Sequence, residues 1–166
     1  MGSGKTYIGN ILSILTNYLF YDLDNIIYKV YDIQIKKIFN KYGEYNFRII
    51  ENKILKLFLI NKNYNSYILS VGGGTPCFLN NIILMNNYSN TIYLQTKKYL
   101  LYYRLLKDNY DRPIINNNIN NNNLYNFINN NINKRNNYYM KSKYVINTNK
   151  MKFFKIAYYI KNLFKI

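Results

Sequence analysis

A chain of 166 residues and 20.0 kDa has the length of one compact domain, and we find neither an internal repeat nor a second domain. The net charge of +16 leaves two interpretations open: a surface for nucleic acid or another anion, or lysines that accumulated through codon bias and stay solvated. The single Cys77 excludes an internal disulfide, and no apolar run reaches the roughly 18 residues of a membrane span. Because the sequence contains no nucleic-acid-binding motif, we favour solvated lysines and expect a cytoplasmic protein that binds neither membranes nor nucleic acid.

Taken in chain order, the apolar periodicity predicts helices that alternate with strands. A helix over 7–18 is followed by the strand "YLFYD", a mostly helical stretch over 25–58 that breaks at Gly43, and the buried strand "SYILSV". Next come a helix over about 79–87, the strand "TIYLQT" and the amphipathic helix "KKYLLYYRLLK". The Asn-rich segment that begins "DNYDRPIINNN" predicts a mobile loop. A helix over about 124–139, the strand "YVINT" and a last helix complete an α/β fold with a mainly parallel sheet.

The rare residue types are the informative ones, because Lys, Asn, Ile and Tyr dominate the composition. The chain has 32 Asn and 21 Tyr but no His, and it has only four Arg, seven Gly and seven acidic residues. Lys is used nearly everywhere that a positive charge is enough. A remaining Arg therefore indicates a need for the planar guanidinium, which binds a carboxylate or phosphate through two hydrogen bonds.

Two motifs predict a site for phosphates and a metal ion. The stretch "GSGKT" before a helix is typical of a phosphate-binding loop, in which backbone N–H groups and Lys5 bind phosphates and the Thr6 hydroxyl binds Mg²⁺. The stretch "DLD" places Asp22 and Asp24 at the end of a strand, where ligands bind in open α/β sheets. One carboxylate can support Mg²⁺ and the other can hold a hydroxyl group. A turn or a helix cap is an equally good interpretation of "DLD" taken alone.

Three further motifs contain the other rare residues. The three glycines of "VGGGTP", at 72–74, allow a ligand to approach the backbone closely, whereas a tight turn needs only one glycine. In "FRIIE", Arg48 and Glu51 lie one helical turn apart, which by itself is also typical of a surface ion pair. Arg112, in "DRPII", lies in the predicted mobile loop and can reach a transferred phosphoryl group when such a loop closes.

The order of these motifs resembles that of the shikimate kinase family. The series "GSGKT", "DLD", "FRIIE", "GGGTP" and "DRPII", with two further arginines, spans nearly the whole chain, and the combination is much more specific than the glycine loop alone. The resemblance implies a three-layer α/β/α P-loop kinase fold with strand order 2-3-1-4-5 and a lid at about 108–123. It also implies ATP-dependent phosphorylation of the 3-hydroxyl of shikimate by a single-domain monomer.

The resemblance also implies a role for individual residues. Asp22 corresponds to the acid near Mg²⁺, and Asp24 to the residue that binds shikimate hydroxyls and helps to deprotonate the attacking one. Arg48 and Arg135 correspond to the pair that binds the shikimate carboxylate. Backbone groups of Gly72, Gly73 and Gly74 would contact the substrate. ATP would be bound by Gly2, Ser3, Gly4, Lys5, Thr6, Tyr7, Arg104, Arg112 and Lys150, with Arg104 and Lys150 near the adenine and Lys5 and Arg112 also acting in catalysis.

The glycine loop stands at the very start of the printed sequence, where the motif requires a preceding strand. We therefore expect the family's first strand to be missing from this chain, between "SYILSV" and "TIYLQT". Unpaired backbone groups on these two strands would make the 166-residue chain poorly stable and nearly inactive.

Two other classes of function stay open at this point. Another small-molecule P-loop kinase, such as a gluconate kinase, would share the glycine loop but not the pairing of Arg48 with Arg135. A non-catalytic protein is the other class: a drifted remnant that still binds ATP, or a basic protein that binds nucleic acid with a steep dependence on salt.

Overall fold

The computed structural model describes residues 2–61, 66–107 and 121–166, and within these ranges helices alternate with short strands. The helices are α1 (Lys5–Thr16), α2 (Leu23–Tyr31), α3 (Ile35–Ile60), α4 (Asn81–Tyr88), α5 (Lys98–Lys107), α6 (Asn121–Tyr139) and α7 (Phe153–Phe164). The strands are β1 (Leu19–Asp22), β2 (Tyr67–Ser70), β3 (Ile92–Gln95) and β4 (Tyr144–Asn147), and a 3₁₀ turn spans Thr75–Cys77. Every element predicted from the periodicity is present.

The strands form two separate parallel pairs instead of one continuous sheet. β1 pairs with β2 in the register Leu19 to Tyr67, and β3 pairs with β4 in the register Ile92 to Tyr144. Among the described residues no strand lies between the two pairs. This is the arrangement expected for the order 2-3-1-4-5 without its central strand, which would lie between β2 and β3.

Alternation of side chains along the strands builds two apolar cores, one on each side. On one side Tyr21, Tyr67 and Leu69 pack with helices α2, α3 and α4. On the other side Ile68 and Leu94 pack with helices α1 and α7. This second core includes residues from β2, β3 and β4, so α1 and α7 connect the two strand pairs. The result is three layers, with the strands in the middle.

Helix boundaries follow local backbone chemistry. Asp22 caps α2, because its carboxylate accepts a hydrogen bond from the Asp24 N–H. Gly43 interrupts α3 with a φ of 77°, a conformation that glycine adopts without strain. This kink is the break predicted from the sequence, and it places Glu44 in the first turn of the helix that contains Arg48.

The helix α6 begins at Asn121, three residues before its predicted start at about 124. The rest of the predicted lid, 108–120, lies outside the described residues, and so does Arg112. Leu101 and Leu105 of α5 pack against Leu124 and Ile128 of α6 in a third, smaller core. No helix in the described ranges is both long enough and apolar enough to cross a membrane.

The core between α1 and α7 provides a test of the fold. Ile156 of α7 is 0% exposed and Ile14 of α1 is 79% exposed. We expect Ile156→Ala to lower the free energy of unfolding by about 2–5 kcal/mol, because it leaves a cavity where the two strand pairs are held together. Ile14→Ala should change it by less than about 0.5 kcal/mol. Urea unfolding monitored by circular dichroism measures both, and equal losses would contradict this account of the core.

Candidate active site

The glycine loop forms the N-terminal end of α1. Gly4 has a φ of 85°, and a side chain at this position would approach the Phe153 ring to 2.7 Å. Both the backbone conformation and the close packing therefore require glycine. The loop lies at the positive end of a helix of 12 residues, where backbone N–H groups and the helix dipole favour a phosphate.

Asp22 and Thr6 face each other beside this loop. The Asp22 Oδ2 atom lies 3.4 Å from the Thr6 hydroxyl, while its Oδ1 atom accepts the capping hydrogen bond from Asp24 at 3.0 Å. Asp22 is therefore a helix cap and a potential metal ligand at the same time. Hard oxygen donors of this kind suit Mg²⁺, which takes few protein ligands and completes its shell with phosphates and water. No group of three or more His, Cys, Asp or Glu that could by itself hold a metal ion occurs in the described part of the chain.

Asp24 is a carboxyl group in an unusual environment. Burial raises its pKa from 3.8 to about 6, and the negative charges of Asp22 and Glu51 act in the same direction, against Lys5 and Arg48. A carboxyl group whose pKa lies near neutral pH can both hold and release a proton under working conditions. Among the described acids, Asp24 is thus suited to act as a general base.

Arg48 is buried, which was not expected for a surface ion pair. Its exposure is 4% and that of Glu51 is 0%, and its Nη1 atom donates to Glu51 Oε2 at 2.8 Å. Its Nε and Nη2 atoms donate to Glu44 Oε1 at 3.3 and 3.0 Å. Burial alone lowers the pKa of Arg48, but the two carboxylates raise it above its ordinary value. A guanidinium has five N–H donors, so donors remain for a further anion.

The glycine turn at 72–74 packs against this ion pair. A side chain on Gly74 would overlap the Arg48 guanidinium, and one on Gly72 would lie 3.4 Å from Glu51 Oε1 and 4.0 Å from Asp24 Oδ1. Thr75, which follows the turn, donates its hydroxyl to Glu51 Oε1 at 2.6 Å. The two oxygens of Glu51 therefore hold Arg48 and the glycine turn in a fixed relation.

A second buried contact supports the turn from α4. Asn81 is 0% exposed, donates to the Thr75 carbonyl at 2.9 Å and accepts from Asn52 of α3 at 2.6 Å. An asparagine in an apolar interior requires such partners, because an unpaired polar group there is costly. Three side chains that the sequence did not single out thus fix the backbone beside Arg48: Thr75, Asn81 and Asn52.

Arg135 reaches the same region from α6. Its charge and that of Arg48 both act on the Cys77 thiol, whose pKa is raised chiefly by burial. Arg135 also acts on Tyr139, which lies one helical turn further along α6 and whose pKa the guanidinium lowers against the larger effect of burial. The two arginines predicted to act together therefore lie near one another in the fold, on helices that are distant in sequence.

Arg104 lies against the glycine loop. Its Nη1 atom donates to the Gly2 carbonyl at 3.3 Å, and its guanidinium stacks at 4.7 Å over the ring of Phe153. Tyr7 also packs on Phe153, with 5.3 Å between the two ring centres. Phe153 was missed from the sequence; its only signal was an aromatic residue at the start of the last helix. Lys150 is exposed in the turn that follows β4.

The structure thus brings together most of the residues predicted from the motifs. Lys5, Thr6, Asp22, Asp24, Arg48, the glycine turn and Arg135 converge on one region, with Arg104 and Tyr7 beside the glycine loop. Arg112 lies outside the described residues. The ligands and chemical roles assigned to all these residues stay predictions.

Comparison with known proteins shows which family the chain resembles. The family model described as shikimate kinase matches residues 1–164. The chain belongs to the shikimate kinase family. A shikimate kinase from Azobacteroides pseudotrichonymphae is 43% identical over 115 residues, which cover 69% of this chain and 66% of that protein. One from Flavobacterium psychrophilum is 35% identical over 147 residues, which cover 88% of this chain and 84% of that protein.

Solved structures of this family share the fold. The shikimate kinase of Bacteroides thetaiotaomicron matches with a TM-score of 0.90 and 27% identity, covering 100% of this chain and 94% of that chain. The enzyme of Acinetobacter baumannii, solved in complex with shikimate, matches with a TM-score of 0.87 and 28% identity, covering 99% and 88%. These matches confirm the predicted α/β P-loop kinase fold.

The raised pKa of Asp24 predicts a dependence of stability on pH. The folded chain binds this proton more tightly than the unfolded chain, so ionising Asp24 lowers the free energy of unfolding. This loss is absent below about pH 4 and is complete above about pH 6. Asp24→Asn should therefore be more stable than the unsubstituted chain at pH 7, by on the order of 1–3 kcal/mol, with the difference vanishing near pH 3.5.

Urea unfolding of both proteins between pH 3.5 and 8 measures this difference. Asp32→Asn, at an exposed carboxylate that ends α2, is the matched control for removal of one negative charge. An Asp24→Asn protein that is less stable at pH 7, or equally stabilised at every pH, would contradict the assignment.

Proposed function

We propose that this chain transfers the γ-phosphoryl group of ATP to the 3-hydroxyl of shikimate. The observation that carries the proposal is the placement of Arg48 and Arg135 around the glycine turn, next to Asp24, in a fold whose first helix begins with a phosphate-binding loop. Two guanidinium groups give a planar carboxylate a specific grip that lysines cannot reproduce. The complex of the Acinetobacter baumannii enzyme with shikimate supports the same substrate.

The glycine loop would hold the nucleotide. Backbone N–H groups of residues 2–7 and the Lys5 ammonium group would bind the phosphates, with Thr6 and Asp22 as the protein ligands of Mg²⁺. When bound, Mg²⁺ neutralises negative charge that develops on the phosphate oxygens. Arg104, which packs on the ring of Phe153, would contact the adenine side of the nucleotide. Lys150 and Arg112 stay candidates for further nucleotide contacts.

Asp24 would orient and deprotonate the attacking hydroxyl. Its oxygen takes the hydroxyl proton as the substrate oxygen forms a bond to the γ-phosphorus, and the bond from that phosphorus to the bridging oxygen breaks to release ADP. A pKa near 6 leaves Asp24 largely ionised at neutral pH in the absence of ligands, so it can accept the proton. Positioning and charge neutralisation account for most of the catalysis in phosphoryl transfer, so the lack of histidine is no obstacle.

A direct assay of the purified chain tests the proposal. ADP release is measured with ATP, Mg²⁺ and either shikimate or gluconate, and mass spectrometry identifies the phosphorylated product. Turnover with shikimate but not with gluconate is the expected result. Faster turnover with gluconate, ATP binding without any turnover, or salt-steep binding of DNA in place of shikimate would each favour one of the alternative functions. The monomeric state and cytoplasmic location stay predictions.

The arginines should separate the two substrates. We expect Arg135→Lys to raise the KM for shikimate about tenfold or more and to leave the KM for ATP within about twofold, because lysine keeps the charge but loses the paired donors. Arg104→Lys is the matched control and should raise the KM for ATP instead. Steady-state kinetics with each substrate varied in turn measures both variants. An unchanged KM for shikimate in Arg135→Lys would remove Arg135 from the carboxylate site.

A further inference from the structure

Tyr139 connects the two sides of the substrate region. Its hydroxyl donates to the Gly73 carbonyl at 2.6 Å, and Arg135 lies four residues earlier on the same face of α6, close enough to lower the Tyr139 pKa. Its ring packs on Tyr93 of β3, with 5.0 Å between the ring centres. A phenol has one hydrogen to donate and lone pairs to accept with, so donation to Gly73 and acceptance from Arg135 are compatible.

The bond to Gly73 also sets the direction of the next N–H group. In a planar trans peptide the carbonyl of Gly73 and the N–H of Gly74 point in opposite directions. Because the carbonyl points to Tyr139, the Gly74 N–H points away from α6. Gly74 itself packs on Arg48, whose guanidinium leaves no room for a side chain there. The peptide between Gly73 and Gly74 therefore lies between the Tyr139 hydroxyl and the Arg48 guanidinium.

We propose that Tyr139 is a positioning residue for shikimate binding, which acts by fixing Arg135 and the Gly73–Gly74 peptide relative to each other. The inference rests on the proposed function, since it concerns how the same site holds its substrate. Arg48 is already fixed by Glu51 and Glu44, whereas Arg135 lies half-buried near the C-terminal end of α6. The Tyr139 hydroxyl gives this second arginine a fixed partner.

The environment of Tyr139 keeps its hydroxyl protonated. Burial raises the pKa of Tyr139, with smaller opposing contributions from Arg135. The hydroxyl therefore remains a donor to Gly73 throughout the neutral range. Packing on Tyr93 restricts the ring, so the hydroxyl is held in place by packing as well as by its hydrogen bond to Gly73.

Removing one oxygen atom tests the proposal. We expect Tyr139→Phe to raise the dissociation constant and the KM for shikimate roughly three- to tenfold, with the KM for ATP within twofold. The kcat should change little, because the carboxylate is held alike in the ground state and the transition state. Tyr138→Phe is the matched control, because Tyr138 precedes Tyr139 on α6 and is 39% exposed. The Lys141 Nζ atom lies 5.7 Å from the centre of its ring. Tyr138→Phe should leave both constants unchanged.

A double-mutant cycle distinguishes positioning from simple support of the fold. In an Arg135→Lys background, Tyr139→Phe should raise the dissociation constant for shikimate by less than twofold, because the group that it positions is gone. If Tyr139→Phe raises the dissociation constant for shikimate equally in both backgrounds, the inference is overturned. The same holds if Tyr139→Phe leaves that constant unchanged, as Tyr138→Phe is expected to do. Tyr139→Met, which fills the space without a hydroxyl, replaces Tyr139→Phe if the latter fails to fold.

The same titrations distinguish a failure of the proposed function from a failure of the role proposed for Tyr139. Isothermal titration of the unsubstituted chain with shikimate measures whether the site exists. If that chain binds no shikimate, the proposed function fails and the inference falls with it. If it binds shikimate and Tyr139→Phe binds equally well, only the role of Tyr139 is overturned.

Discussion

The buried ion pair between Arg48 and Glu51 is the interaction on which the rest of the site depends. Neither side chain is appreciably exposed, and the second oxygen of Glu51 is used by Thr75. Removing one partner of such a pair leaves an uncompensated charge and typically costs 3–5 kcal/mol. Because the glycine turn packs directly on the guanidinium, the ion pair fixes the position of the backbone as well as the direction of Arg48. A serine or alanine in place of Gly74 would displace the arginine.

The ionised carboxylate of Asp24, unlike the ion pair, lowers the stability of the fold. It lies beside Glu51 and Asp22, and burial raises its pKa to about 6. An ionised group in this position destabilises the fold at neutral pH. The positive charges of Lys5 and Arg48 offset part of the penalty. The same environment that destabilises the ionised form gives the carboxylate its affinity for a proton, which a general base requires.

The two strand pairs are held together by helices and not by strand pairing. β2 and β3 contribute Ile68, Ile92 and Leu94 to one core, in which Ile8, Leu12 and Ile156 of α1 and α7 are buried. The glycine loop precedes α1 directly, so its position depends on how tightly that helix packs against α7. Phe153 contributes to both, since it lies at the start of α7, packs on Gly4 and stacks with Arg104. The surroundings of the glycine loop and the core between α1 and α7 thus share residues, of which Phe153 is one.

The sequence by itself determined the order of the elements, the family resemblance and most of the motif residues, because these depend on local periodicity and on residue types that the biased composition disfavours. Arg48 stood out as one of four arginines, and Gly43 marked the kink that precedes it. The tertiary structure alone decided that Arg48 and Glu51 are buried, since the spacing of three residues is the same in an exposed ion pair. It also decided which residues Tyr139, Asn81 and Phe153 contact. Tyrosine and asparagine are too frequent in this chain for composition to single any of them out, and Phe153 is only one aromatic residue among many. Their partners are Gly73, Asn52 and Gly4, which lie 66, 29 and 149 positions away along the chain, and only the packing of helices on strands brings them into contact.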